Sequence, residues 1–178
     1  MAEMNRELLF ITTEEGREKL LDMGFSHVKS LKPGESTVVG DMEITAVFAK
    51  HTVEAFGIVL KVENTTLYFS GDTLYDERLF EISEYQPYVA FICINGKLGN
   101  MNVEEAVRVA KKIGAKVNVP NHCGMFASNT EDPEKFTGRL KNGIVMEFDK
   151  EYGIGTKEFV VLTPPAMKHI AVTPTFIT

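Results

Sequence analysis

Val89-Ala90-Phe91-Ile92-Cys93-Ile94 is a short unbroken apolar run, the pattern of a strand covered on both faces. Eight residues on, Asn102 stands before apolar residues that recur every three or four positions: Val103, Ala106, Val107, Ala110 and Ile113. That spacing predicts an amphipathic helix over 102–113. Asn102 can cap its start, and Gly114 can end it. Val117-Asn118-Val119 then reads as another strand. Strand, helix and strand in succession imply a layered α/β architecture.

Upstream the pattern is richer in strands. Residues 44–48, 56–62 and 67–70 are apolar-rich runs, and the polar turn Glu63-Asn64-Thr65-Thr66 joins the last two as a hairpin. A helix over about 76–84 leads into the 89–94 strand. Near the start, residues 7–11 suggest a strand. Thr12 with Glu15 three positions later matches a capping box for a helix over 13–23, ending at Gly24. Pro33-Gly34-Glu35 is a turn. Downstream, Asp132-Pro133 opens a helix with proline at its first position, and Ile144 to Phe148 reads as a strand. Thr163-Pro164-Pro165 belongs to a linker or edge segment. One domain over 1–178 is expected, with 149–178 as its tail.

The composition excludes several classes of function. The chain has 178 residues, 44% hydrophobic and 25% charged, with a formal net charge of −6. Those values are unlike disordered, collagen-like or disulfide-scaffold chains. A net-acidic chain without a Lys/Arg run is a poor match for nucleic-acid or membrane-surface binding, so a small-molecule substrate or protein contact is favoured. The two cysteines, Cys93 and Cys123, are expected as free thiols in a reducing compartment. No run approaches the ~18 apolar residues of a membrane span. The acidic start Met1-Ala2-Glu3-Met4 is unlike a signal peptide, and the expected location is cytoplasmic.

Three strand ends carry chemistry. His51 follows the 44–48 strand, Asp72 follows the 67–70 strand in Ser70-Gly71-Asp72-Thr73, and His122 follows the 117–119 strand in Pro120-Asn121-His122-Cys123. Two imidazoles and a carboxylate suit zinc, manganese or iron(II). Each also has an ordinary explanation. A loop histidine often serves only a local hydrogen bond, and Asp72 can simply cap the helix that follows. His27 and His169 have no such company and are read as structural.

The order His-Thr, hairpin, Ser-Gly-Asp-Thr and a βαβ unit ending in histidine resembles the second half of the metallo-β-lactamase superfamily. Ile94-Asn95-Gly96-Lys97-Leu98-Gly99-Asn100-Met101-Asn102 is similar to the L-ascorbate-6-phosphate-lactonase-like branch. So is Pro120-Asn121-His122-Cys123-Gly124-Met125-Phe126, followed by Asn129-Thr130-Glu131-Asp132-Pro133. The resemblance implies a partial, half αβ/βα sandwich: a mixed sheet with helices on one face. It implies a metal-dependent hydrolase of lactone or phosphoester type. Two divalent metals, zinc or manganese, would be held by His51 and Asp72 on one side and by Asp72 and His122 on the other. Asp72 would be the catalytic carboxylate, bridging both. Asn95, Asn100 and Asn121 would face a sugar-acid or phosphate substrate, although asparagines at strand ends also serve turns.

The family signature His-x-His-x-Asp-His is absent: of the four histidines, no two lie within four residues of each other. The chain is therefore expected to be a C-terminal part of the fold. It would be completed by an N-terminal partner chain, or would pair with itself as a homodimer through the apolar inner faces of Phe48, Ile58, Leu60 and Phe69. The alternative is a catalytically inactive truncated domain that acts as a binding or self-associating module.

Overall fold

Alternating side chains build the central sheet, because successive residues of a strand face opposite sides. The computed structural model describes residues 8–97, 99–124 and 131–154, with the backbone of 159–162. In chain order the elements are β1 (Phe10–Thr12), α1 (Glu14–Asp22), β2 (Val28–Ser30), β3 (Ser36–Val39), β4 (Met42–Phe48), β5 (Phe56–Val62) and β6 (Thr65–Phe69). A 3-10 helix (Glu77–Tyr85) follows, then β7 (Val89–Cys93), α2 (Val103–Ile113), β8 (Val117–Asn121), α3 (Pro133–Thr137), β9 (Glu151–Ile154) and β10 (Phe159–Leu162).

The main sheet has the order β3-β4-β5-β6-β7-β8. Pairing is antiparallel from β3 to β6 and parallel from β6 to β8. It follows that β4, β6, β7 and β8 all run in one direction, and their carboxyl ends share one rim of the sheet. β1 and β2 form a separate parallel pair. The chain divides into two compact units, 1–145 and 146–178. Within the second, β9 pairs antiparallel with β10.

One face of the sheet carries the helices. Val47, Val59, Tyr68, Ala90 and Ile92 meet Leu79 and Ile82 of the 3-10 helix, the apolar stripe of α2, and Phe136 of α3 in one buried cluster. The α2 stripe is the one its spacing predicts, and its N-terminus has a reciprocal capping box between Asn102 and Glu105. Glu104 and Glu105 at its start and Lys111 and Lys112 at its end complement the helix dipole. The opposite face is apolar and only partly covered. Ile58, Leu60 and Phe69 are half-buried there, and Phe69 stacks on Phe91 with ring centroids 4.6 Å apart.

Several sequence expectations need correction. Thr13, not Thr12, caps α1, its side chain accepting from Gly16 N, because Thr12 is taken up in β1 opposite Ser30. The element at 77–85 is a 3-10 helix rather than an α-helix. Residues 144–148 form no strand. Only Gly143 bridges to Asn118, at the outer edge of β8, and Phe148 is 89% exposed. Phe48 packs against the helix-side cluster with the Arg78 guanidinium 3.8 Å above its ring. Strands β2 and β3 are set by pairing with β1 and β4 rather than by a pattern of their own. No helix among the described residues is long and apolar enough to cross a membrane. His169, Thr163-Pro164-Pro165, Met125-Phe126 and Asn129-Thr130 lie outside the described residues.

Candidate metal centre

The rim where four strands end carries all three candidate ligands. The turn after β6 is held tightly. Ser70 N donates to Phe91 O at 2.9 Å, and Cys93 N donates to Ser70 Oγ at 3.0 Å. Gly71 has φ +60, and a β-carbon there would lie 3.0 Å from Phe56 O, so a larger residue would be strained and crowded at the bend that delivers Asp72.

Thr73, next in sequence, is fully buried and ties the rim together. Its Oγ1 accepts from Lys50 N at 2.9 Å, fixing the residue before His51. Its N–H donates to Asn100 Oδ1 at 3.1 Å, and its carbonyl accepts from Met101 N at 2.9 Å. Three loops thus meet on one threonine. Sequence reasoning used Thr73 only as part of a turn; its hydroxyl within a Ser-Gly-Asp-Thr turn was the available signal.

His122 follows β8 in a left-handed conformation, φ +56, with its backbone N–H donating to Asn121 Oδ1 at 2.7 Å. Its ring spans two partners: Nδ1 lies 2.9 Å from Asn95 Nδ2, and Nε2 lies 3.1 Å from Asp72 Oδ1. His51 has Thr52 Oγ1 3.4 Å and Val53 N 3.5 Å from its Nδ1. Its Nε2 faces Gly99, where a β-carbon would stand 2.8 Å away.

The electrostatics bind these groups together. The nearby His122 ring is the largest influence on Asp72 and holds its carboxyl below the usual carboxylate range. Burial opposes this, while the charges of His122 and His51 and the Asn100 side chain add to it. The same closeness to Asp72 raises the pKa of His122, against a smaller opposing effect of burial. Cys93 and Cys123 are both free thiols, each pushed up mainly by burial.

The donors suit a divalent metal in part. Asp72 Oδ1 is buried with no hydrogen bond directed at it, although His122 Nε2 is only 3.1 Å away. The two make a close polar contact rather than an aligned hydrogen bond. Two ligands at about 2.0–2.2 Å on one tetrahedral zinc stand roughly 3.3–3.6 Å from each other, so this pair at 3.1 Å is slightly closer than one edge of such a sphere. Among the described residues no group of three His, Cys, Asp or Glu side chains converges. His51 is near enough for its charge to act on Asp72 but does not complete a triad. The three asparagines are engaged in the scaffold of this site. Asn95 is 2% and Asn100 4% exposed, and Asn121 holds the backbone of His122.

The mixed sheet with helices packed on one face is the fold shared with the metallo-β-lactamase fold protein YhfI of Bacillus subtilis: TM-score 0.63 over 76% of this chain and 60% of that one, at 19% identity. The solved metallo hydrolase of the hyperthermophilic archaeon Ignicoccus hospitalis has that fold in common with this chain: TM-score 0.70 over 87% of this chain and 69% of that one, at 24% identity. The model of the beta-lactamase superfamily domain matches residues 4–123, and the chain belongs to that family. A UPF0173 metal-dependent hydrolase of Listeria monocytogenes is 31% identical over 146 residues, 76% of this chain and 61% of the relative. Another, from Oenococcus oeni, is 35% identical over 101 residues, 55% of this chain and 44% of the relative. The chain thus spans between 44% and 61% of these relatives' lengths.

Proposed function

We propose that this chain is part of a metal-dependent hydrolase of the metallo-β-lactamase fold, and that donors beyond His51, Asp72 and His122 complete its metal pair. The observation that carries the proposal is the buried Asp72 Oδ1 beside His122 Nε2 at 3.1 Å, with no third donor converging among the described residues. Two protein ligands are fewer than the three of catalytic zinc sites. Divalent zinc or manganese would supply Lewis acidity and lower the pKa of water to about 7. Asp72 would hold both metals, His51 one and His122 the other. A carboxylate kept ionised well below neutral pH suits that role. The Ile94–Asn102 segment supports a lactone or phosphoester substrate of the L-ascorbate-6-phosphate-lactonase type. Free thiols at Cys93 and Cys123 suit the cytoplasm.

A second reading has its own support. The half-buried Ile58, Leu60 and Phe69 offer an apolar face to another protein layer, either a partner chain that carries the remaining donors or a second copy of this chain.

Metal analysis and turnover test both. The purified chain should bind zinc or manganese weakly and hydrolyse lactones, phosphodiesters and β-lactams little or not at all. Fusion to a β-layer bearing His-x-His-x-Asp-His should raise metal content to two per site and produce turnover that Asp72→Ala abolishes. Strong turnover by the isolated chain, lost on chelation, would overturn the need for outside donors. A fusion that folds yet takes up no metal would overturn the hydrolase assignment.

A further inference from the structure

Glycine follows asparagine twice in this chain, at Asn95-Gly96 and at Asn142-Gly143. Such a pair can cyclise. The glycine backbone nitrogen, having lost its proton, attacks the asparagine Cγ, and the Cγ–Nδ2 bond breaks with release of ammonia. Solvent water then opens the cyclic imide at either carbonyl, leaving aspartate or its β-linked isomer, isoaspartate. The step needs a glycine nitrogen free of other bonds, a mobile side chain and water at hand. The fold treats the two pairs differently. Asn95 is 2% exposed, its Oδ1 accepts from Lys97 N at 3.3 Å, and Gly96 N donates to Met101 O at 2.8 Å. Asn142 is exposed. Gly143 N reaches Leu140 O only at 3.4 Å, beyond the usual range of about 2.7–3.2 Å.

Asn142 also fastens an edge. Its Nδ2 donates to Ala115 O at 2.7 Å and to Lys116 O at 3.3 Å, and its carbonyl accepts from Asn118 N at 2.9 Å. Ile144 N donates to Asn118 O at 2.9 Å. These bonds tie the segment after α3 to the outer edge of β8, where Gly143 bridges to Asn118. Beneath them Asn118 Oδ1 is buried with no hydrogen-bond partner among the described residues. Water entering a loosened edge would satisfy that oxygen, which favours opening. The bonds to Nδ2 slow the reaction while the edge is closed; local opening frees the amide and the glycine nitrogen together.

We propose that Asn142-Gly143 is a site of spontaneous deamidation, that the fold protects Asn95-Gly96, and that the reaction unfastens the outer edge of β8. The product carboxylate has acceptors only. It therefore repels Ala115 O and Lys116 O, to which the amide gave hydrogens. Isoaspartate also lengthens the backbone and puts the bonds to Asn118 out of register. The modified chain gains a negative charge and leaves backbone groups of β8 unpaired, a template for other strands.

Peptide mapping of the whole chain, aged at mildly alkaline pH, tests the site. Aspartate and isoaspartate should accumulate at position 142 about tenfold or more faster than at 95, a factor that one secure hydrogen bond can supply. In concentrated urea the two rates should converge. Asn142→Gln, whose longer side chain cyclises far less readily, should lose most of the acidic form seen on ion exchange. Asn142→Asp should speed hydrogen exchange of the Asn118 and Ile144 amides and leave that of Val107 in α2 unchanged. Equal rates at 142 and 95 in the folded chain, an intact Asn142, or an undiminished acidic form in Asn142→Gln would overturn the site. A rate difference that persists in urea would overturn the protecting role of the fold. Unchanged exchange at Asn118 and Ile144 in Asn142→Asp would overturn the consequence for the edge.

Discussion

The His51 ring packs onto Gly99 so closely that a β-carbon on that glycine would stand 2.8 Å from Nε2 and 3.0 Å from Cδ2. Glycine is needed there twice over, since Gly99 also has φ +89, where a side chain is strained. Gly99→Ala should lower stability by about 1–3 kcal/mol and displace the His51 ring. Gly24 separates the two causes: its φ is the same, +89, but nothing lies within 4 Å of its would-be β-carbon. Gly24→Ala should lower stability by a similar backbone cost and leave the His51 resonances in place. Urea titration and imidazole chemical shifts read the two effects. Equal shifts of His51 in both variants would argue against the contact.

The Asp72–His122 contact gives stability a pH signature in metal-free protein. Asp72 is depressed in the fold, so its contribution is present above the unfolded aspartate pKa of about 3.9 and fades as pH falls through the lower folded value. His122 is raised, so its contribution is complete below about 6.5 and fades as pH rises through the higher folded value. Both are present between roughly pH 4 and 6.5. The Tm deficit of Asp72→Asn should therefore be largest near pH 5–6 and shrink above the His122 pKa. A deficit that grows steadily from pH 6 to 9 would contradict this account.

The capping box of α2 offers a change whose mechanism is confined to one helix end. Asn102→Ala removes the acceptor for Glu105 N at 3.0 Å and should cost about 0.5–2 kcal/mol. Glu105→Ala, which frees Asn102 N from its 3.0 Å bond to Glu105, should cost less, since the Asn102 cap itself remains. Chemical denaturation of the two single variants and the double variant would show coupling. Additive losses would mean the two bonds act independently.

Much of this fold is written in side-chain spacing. The stripe from Val103 to Ile113, bounded by Asn102 and Gly114, specifies α2 because one buried face and both ends are encoded locally. The runs at 56–62 and 67–70 specify a hairpin for the same reason. Val28–Ser30 and Ser36–Val39 are strands because of what lies beside them, β1 and β4; a three-residue segment centred on Lys29 has no pattern of its own. Ile144 to Phe148 is the reverse case, an apolar run that among the described residues has no neighbouring strand beyond the single Gly143 bridge. At the site, the placement of His51, Asp72 and His122 at strand ends was legible. The engagement of the asparagines was not: burial of Asn95 and Asn100 depends on three loops converging on Thr73, and residue type alone does not show which loops meet.

The half-covered face of the main sheet makes association measurable. Ile58, Leu60 and Phe69 each stand to gain roughly 1.5–3 kcal/mol on full burial. The purified chain should sediment above monomer mass at micromolar concentration. Leu60→Lys should weaken association about tenfold or more and leave helical content unchanged. A cooperatively melting monomer at all concentrations would exclude self-association through this face.

Four parallel-directed strands, β4, β6, β7 and β8, end on one rim, and that arrangement sets a timetable. Synthesis delivers His51 first, then Asp72, and His122 only 50 positions after Asp72. Until β8 docks on the edge of β7, the carboxylate lacks the His122 ring 3.1 Å away. Closing so long a stretch of chain is among the slower events of folding. A ligand held by Asp72 and His122 together would favour only molecules whose sheet is complete, so a nascent or clipped chain ending before β8 would be passed over. The rim would act as an assembly check, reporting that the last strand of the main sheet is in place.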